Sequence, residues 1–415
     1  MASVPVLYIS WDGMTDPLGQ SQVIPYLLGL TKQGYSFTIL SCEKAVPFKK
    51  NEAKIRQLLS KHNIRWEPIP FTTFPPIISK IRDKRRLHKT AIRLQEQYHF
   101  VITHCRSYVA ADVGLMIKKK YGTKLLFDIR GLWADEKVDA GAWPQSNPLF
   151  YYIYRWYKKK EKAFIENADH IVTLTFNAKQ EIHTWKHIVN NPVPITVVPC
   201  CVDLDLFNPD ALDKIKLENY RQNLGLQPGD FVVSYLGSIG SWYMLDEMLD
   251  LFKVLLQKSP QVKFLFITPC AKVGILEAAS AKDIPADHVY VTEAKREQVP
   301  YFLALSQYSI FFIRATYSKK SSSPTKQGEI MAMGIPLICN SGVGDTDWVV
   351  EEYHSGVVLK GFEETHYRQG IDDLLQGNFN AADIRRGADT YFSLKQGTAR
   401  YLSIYKSLMA FAHKT

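Results

Sequence analysis

The chain has 415 residues, which predicts two or three domains with full hydrophobic cores. Apolar residues make up 46% and charged residues 22%, a balance that excludes a disordered or fibrous chain. No uncharged apolar run approaches the roughly 18–20 residues of a membrane-spanning helix. The start, MASVPVLYISWDG, lacks the basic n-region and cleavage site of a signal peptide, so a cytoplasmic location is expected. The net charge of +10 is unevenly spread. Residues 1–200 carry 29 Lys and Arg against 16 Asp and Glu (+13), while the remainder carries 22 against 25 (−3). A basic first half predicts an anionic partner: nucleic acid, an anionic membrane surface or a phosphorylated acceptor. Six scattered cysteines show no zinc spacing and read as reduced core thiols, vicinal Cys200 and Cys201 included.

Apolar, β-branched runs alternate with helix-like segments along the whole chain. In the first half they fall at 4–10, 36–41, 65–70, 100–105, 124–129, 170–174 and 195–198. In the second half they fall at 231–237, 262–268, 288–291, 308–314, 336–340 and 356–359. Consecutive apolar positions suit parallel strands covered on both faces. Two such series predict an α/β protein of two doubly wound domains. The join is expected in the turn-rich PCCVDLDLFNP, dividing the chain into 1–203 and 204–392. A final helix over 393–412 would cross back, so that 393–415 braces the first domain.

Ligands of open α/β sheets sit beyond the carboxyl ends of strands, so the turns there carry the functional expectations. The first is WDGMTDPLGQSQ (11–22), where Gly13 and Gly19 permit close backbone approach; an ordinary glycine-containing connection reads equally well. His104 and Arg106 end one strand, and Asp128, Arg130 and Trp133 follow the next, a grouping that suits an acceptor and acid/base wall. The turn GSIGSW (237–242) offers main-chain N–H groups at Gly237, Ser238 and Gly240. The richest stretch is SKKSSSPTKQGEIMAMGIPLICN (318–340). Ser323 is expected as N-cap and Pro324 as first helical residue, with Lys326 and Glu329 sharing a face one turn in. A cation beside free N–H groups suits a diphosphate, and the carboxylate suits a ribose diol. The competing interpretation is a capped surface helix with an i,i+3 salt bridge. Gly328 and Gly334 favour the first, since small residues suit something packed close to the backbone.

These stretches together resemble glycosyltransferase family 4, whose members adopt the GT-B fold of two Rossmann-like domains facing across a cleft. The markers are the Lys326/Glu329 helix followed by Met333–Leu337, the linker Pro199, Val202, Asp203 and Phe207, and the loop DGMTDPLGQSQ. The resemblance implies sugar transfer from a nucleotide-diphosphate sugar, with retention, to a glycan or lipid-linked acceptor in cell-surface polysaccharide synthesis. It assigns donor binding to Gly19, Gly237, Ser238, Gly240, Arg314, Ser323, Pro324, Thr325, Lys326 and Glu329. It implies that His104 faces the reacting sugar; with the cluster at the strand ends, the catalytic candidates are His104, Asp128 and Arg130, and the acceptor-binding candidates Asp12, Gly13, Gln20, Arg106 and Trp133. Family members usually carry cations where this chain has Ser238 and Tyr243, and a glutamate where it has Ser321; Lys319, Lys320 or Arg314 are expected to compensate.

No metal or cofactor beyond the sugar nucleotide is implied, the pairs Asp203/Asp205 and Asp345/Asp347 reading as linker and loop acids. The competing functions are a sugar-nucleotide epimerase of the same fold and a non-catalytic sugar-nucleotide binder; a nucleic-acid partner leaves the 323–329 helix unexplained. Two basic, apolar-striped segments, IISKIRDKRRLHKTAIR (77–93) and FYYIYRWYKKKEK (150–162), suit helices at an anionic bilayer surface, or equally solvated helices with the stripe in the core.

Overall fold

A computed structural model describes residues 3–410, apart from the side chains of Pro76 and Ile77. It contains thirteen strands: β1 Val4–Ser10, β2 Tyr35–Glu43, β3 Arg65–Pro70, β4 Ile102–Arg106, β5 Lys124–Asp128, β6 His170–Thr173, β7 Ile195–Val197, β8 Val232–Leu236, β9 Lys263–Ile267, β10 Val289–Thr292, β11 Tyr308–Phe311, β12 Leu337–Asn340 and β13 Gly356–Leu359. Each coincides with one of the apolar runs. They form two sheets, β3-β2-β1-β4-β5-β6-β7 and β10-β9-β8-β11-β12-β13. Every pairing between these strands is parallel. Helices cover both faces, which is why β4 and β8 are buried at every position.

The strand order reverses between β1 and β4 in one sheet and between β8 and β11 in the other. Loops leaving the carboxyl ends at such points diverge and leave room for a ligand. In the first sheet the register sets Ser10 of β1, Arg106 of β4 and Asp128 of β5 side by side.

The chain divides into two compact units, Met1–Pro199 with Leu394–Thr415, and Cys200–Ser393. The second unit begins at Cys200, ahead of residue 204, because Val202 is tied into it: its N–H donates to Phe392 O at 2.7 Å, and it bridges to Ser393. The last helix, Leu394–Ala410, belongs to the first unit, where Tyr401, Ile404, Tyr405 and Leu408 are buried. Residues 411 and 412 of the expected helix lie outside the described residues.

One side chain ties the second unit's linker to its helices. Arg385, on the helix Ala381–Phe392, donates to Phe207 O at 2.6 Å, to Leu204 O at 3.1 Å and to Ala332 O. The last of these is a terminal carbonyl of the helix Thr325–Ala332, which has no partner inside its own helix. Arg385→Met keeps the stem and removes the donors. It is expected to cost about 2–4 kcal/mol, read as a lower urea midpoint at unchanged m-value; a loss below about 0.5 kcal/mol would show the three carbonyls satisfied without it.

Candidate functional site

The second unit holds a cavity of about 310 Å³ at the carboxyl ends of β8 and β9, lined among others by Gly237, Ser238, Tyr243, Thr268, Arg296, Pro324, Thr325, Lys326 and Glu329. The amino end of the Thr325–Ala332 helix opens into it. Lys326 is 7% exposed and donates to the Tyr235 hydroxyl at 2.9 Å. Its ammonium also lies 4.2 Å from the Tyr235 ring centroid and 3.9 Å from that of Tyr243. Rings attract a cation through their quadrupole, yet they return less than water takes away. Burial therefore pulls the Lys326 ammonium down to about 7, against the opposing pull of Glu329.

Gly237 makes this placement possible. It has φ +115°, and a Cβ there would lie 3.1 Å from Lys326 Nζ. Any other residue at this turn would be strained and would crowd the ammonium. Glu329 also lines the cavity, and burial pushes its carboxyl up while Arg296 pulls it down. Arg296 donates to Glu329 Oε1 and rests over the Phe207 ring at 4.8 Å. The two cations of the cavity wall are thus Lys326 and Arg296. Sequence reasoning missed Arg296, since nothing about KREQ in a loop announces which carboxylate it will meet.

Other expectations for this region change. Ser323 does not cap the helix, because its hydroxyl accepts the Cys200 N–H at 3.1 Å; Pro324 takes the N-cap position and Thr325 is the first helical residue. Lys326 and Glu329 share a cavity but turn to different partners, so the surface i,i+3 salt bridge is replaced by Lys326–Tyr235 and Glu329–Arg296. Gly328 and Gly334 do pack closely against something, but it is protein. A Cβ at Gly328 would sit 3.0 Å from the Phe392 ring, and one at Gly334, where φ is +71°, 3.0 Å from Ala381. The compensating cations lie elsewhere: Lys319 is 3.7 Å over the Trp242 ring, Lys320 is 5.2 Å from Tyr317, and Arg314 is exposed. None of the three is among the cavity-lining residues, nor is Gly240, which accepts the Tyr243 N–H in its turn. Asp203 accepts the backbone N–H groups of Asp205 and Leu206, and Asp345 accepts from Tyr391 at 2.6 Å.

In the first unit, His104, Asp128, Arg106 and Arg130 do come together at the ends of β4 and β5. Ser107 and Arg130, directly after or near those ends, carry φ of +67° and +56°, a left-handed backbone that turns the chain sharply there. The cluster is interior, however. His104 Nδ1 shares a 2.8 Å hydrogen bond with the Tyr405 hydroxyl, and its ring meets those of Tyr8 and Tyr401 at 4.6 and 5.4 Å. Burial lowers the His104 pKa, so the ring is neutral near pH 7. Asp128 accepts from Tyr401 at 2.9 Å; burial raises its carboxyl, but Arg130, His104 and Arg106 together hold it below the usual range. The Leu394–Ala410 helix thus covers the face of the sheet from which His104 was expected to meet a sugar. His104 and Asp128 are core residues of this unit. Arg106 reaches Asp12 at 3.5 Å, and Trp133 stands in an aromatic group with Tyr108, Trp143 and Tyr157.

The 11–22 loop is likewise packed on itself. The Glu43 carboxylate accepts the N–H groups of Met14 and Thr15 at 2.7 and 3.2 Å, so these main-chain donors are taken up inside the unit. A Cβ at Gly13 would meet Glu43 Oε2 at 2.6 Å, and one at Gly19 would meet Gly13 O at 2.2 Å. Gln20 donates to Thr15 O at 2.9 Å. Gly13, Gly19 and Gln20 therefore serve the loop's own fold, and Asp12 is half-buried beside Arg106.

The buried histidine gives a direct prediction. Tyr405→Phe leaves His104 Nδ1 without its partner at nearly constant volume and is expected to cost about 1–3 kcal/mol. Tyr405→Ala adds a cavity and is expected to cost about 3–5 kcal/mol. Equal urea midpoints for the two variants would contradict this assignment.

The chain matches the family model "Glycosyltransferase Family 4" over residues 23–206 and the model "Glycosyl transferases group 1" over residues 217–390. It is 24% identical over 328 residues to a D-inositol 3-phosphate glycosyltransferase of Segniliparus rotundus, covering 75% of this chain and 69% of that protein. Among solved structures, the fold is shared with sucrose-phosphate synthase of Thermosynechococcus elongatus at TM-score 0.74 and 15% identity, covering 98% and 99% of the two chains. It is shared too with Anabaena HepE in complex with UDP-glucose, at TM-score 0.67 and 13% identity, covering 97% and 99%. With family models matched to both of its parallel-sheet units, the chain is a glycosyltransferase and belongs to glycosyltransferase family 4, with the GT-B fold.

Proposed function

We propose that the chain transfers a sugar, with retention, from a nucleotide-diphosphate sugar to a glycan or lipid-linked acceptor, in the synthesis of a cell-surface polysaccharide at the cytoplasmic face of an anionic membrane. The observation that carries the donor half is the Lys326 ammonium, held inside a 310 Å³ cavity with a neutral hydroxyl as its hydrogen-bond partner. A buried cation so placed gains most from an anion brought to it. The diphosphate would lie against Lys326 and the free N–H groups at the start of the Thr325–Ala332 helix, and Glu329 would receive the ribose hydroxyls.

In the reaction the bond from the sugar's anomeric carbon to the phosphate oxygen breaks, and its electron pair leaves with the nucleoside diphosphate. The acceptor hydroxyl bonds to the same carbon on the same face, and its proton passes to the departing phosphate. Lys326 and the helix amides meet the growing charge, preorganised and out of water. On this reading no metal or further cofactor is required. The HepE complex makes UDP-glucose the first donor to try.

Two measurements test the reading. UDP is expected to raise the melting temperature, and Lys326→Ala to weaken UDP by about 1.5–3 kcal/mol in calorimetry. An unchanged affinity would refute the placement. The pH dependence follows from the lowered ammonium pKa. In the free protein Lys326 loses its proton as pH rises through about 7. Because the folded value lies below the ordinary 10.5, burying the charge costs stability below about 7, and that cost is relieved between about 7 and 10.5. A bound diphosphate needs the charged form, so UDP affinity should fall by up to about tenfold per pH unit above 7. Lys326→Ala should flatten that slope; a wild-type affinity independent of pH between about 7 and 9 would count against it.

A further inference from the structure

Two helices of the first unit present their apolar residues to solvent. On the helix Pro76–Tyr98, Leu87, Ala91 and Leu94 turn into the core, while Ile78, Ile81, Arg85 and Lys89 form a separate stripe on the outside. On the helix Pro148–Asn167 the same spacing brings Leu149, Tyr152, Trp156 and Lys159 onto one exposed stripe. Ile78 is 65% exposed, Leu149 64%, Tyr152 71%, and Phe74, just before the first helix, 79%. Seven of the seventeen exposed large apolar side chains among the described residues lie in these two short segments. Such a concentration marks a surface that meets something.

The two stripes are neighbours. Lys84 of one helix and Lys160 of the other both bind Asp112, at 2.6 and 2.7 Å. Their ammonium groups lie 5.6 and 5.4 Å from the Trp156 ring. Burial raises the Asp112 carboxyl, but His88, Lys160 and Lys84 hold it well below the usual range, so the clamp persists across physiological pH. In both helices the exposed apolar residues lie in the amino half, with exposed cations among and after them: Arg82, Arg85 and Lys89 on one, Arg155, Lys159 and Lys162 on the other. The only acid between Phe74 and Arg93 is the buried Asp83.

We infer that this face docks on an anionic lipid bilayer, its amino-terminal apolar side chains entering the headgroup boundary and its cations meeting lipid phosphates. The inference rests on the proposal of a membrane-presented acceptor and names the surface that would meet the membrane. A polyanion alone would leave the isoleucines and Leu149 unmatched, and a second copy of the same face would bring like charges together. A bilayer offers apolar depth and negative charge at once, with Tyr and Trp suited to the boundary.

The test is co-sedimentation of the full chain with vesicles of phosphatidylcholine alone and with about one third phosphatidylglycerol, at about 0.05 and 0.5 M salt. Binding is expected to the anionic vesicles alone and to weaken at the higher salt. The pair Ile78→Ser and Tyr152→Ser, and separately Arg85→Glu with Lys159→Glu, should each lower the partition constant by about tenfold. All four side chains are exposed, and the UDP-induced thermal shift of the variants reports that folding and the donor cavity are intact. Equal binding to neutral vesicles, binding to neither, or variants that bind like the parent overturns the inference. So does a concentration-dependent dimer that the Ile78→Ser, Tyr152→Ser pair abolishes, which would give the face to a second copy. Vesicle binding without any UDP shift would instead remove the donor reading and leave the docking surface standing.

Discussion

The ammonium of Lys326 enters the second unit on the first turn of a helix, and the surrounding residues are arranged to keep it there. Gly237 has no side chain to exclude it, Tyr235 gives it a hydroxyl, and Tyr235 and Tyr243 give it two aromatic faces. Glu329, which could have neutralised it one turn later, is taken by Arg296. These contacts orient the cation without satisfying its charge, which is the state in which a buried charge gains most from a ligand. They also give meaning to two departures from the family pattern. Where the resemblance to the family implies further cations, this chain has Ser238 in the turn and Tyr243 as one wall of the cage. Of the two cations in the cavity wall, Arg296 is paired with Glu329 and Lys326 has only a hydroxyl and two rings beside it.

Much of the fold was legible because parallel strands covered on both faces leave a plain trace, runs of consecutive apolar residues. All thirteen such runs are strands. The turn after β8 and the helix near Pro324 were legible as local structure for a similar reason: glycine, proline and a cation three residues before a carboxylate constrain local geometry strongly. Other signals were read correctly as constraints and assigned to the wrong neighbour. A glycine reports that something lies close to the backbone and is silent about what. At Gly328 and Gly334 the neighbours are Phe392 and Ala381, and at Gly13 and Gly19 they are Glu43 and the loop's own carbonyl.

His104 shows the same limit at longer range. Its position at a strand end is written in the local sequence, but its surroundings are supplied by Tyr401 and Tyr405, some three hundred residues later. Once that helix lies over the sheet, the histidine and Asp128 are needed to satisfy two tyrosine hydroxyls inside the core. Arg296 is the converse. It reaches a buried carboxylate from an irregular segment, where no periodicity could have disclosed its partner.

The uneven charge of the chain resolves in a comparable way. Part of the basic side chains in the first half is paired internally: Lys118 and Lys124 with Asp169, Lys84 and Lys160 with Asp112, and Lys158 with Asp135 and Glu161. Surface pairs of this kind add little to stability, and helices solvated on their outer face have no need of exposed isoleucine, leucine and tryptophan. Exposed cations also lie elsewhere in the unit, Lys54, Lys119 and Lys186 among them, but on the two outer stripes they stand beside a run of exposed apolar residues. A solvated face would show the opposite pattern, with the apolar residues inward and the charges spread along it. The sequence left these helices open to both readings; the core takes Leu87, Ala91 and Leu94, and the apolar and basic residues left outside are those that the proposed lipid interface would use.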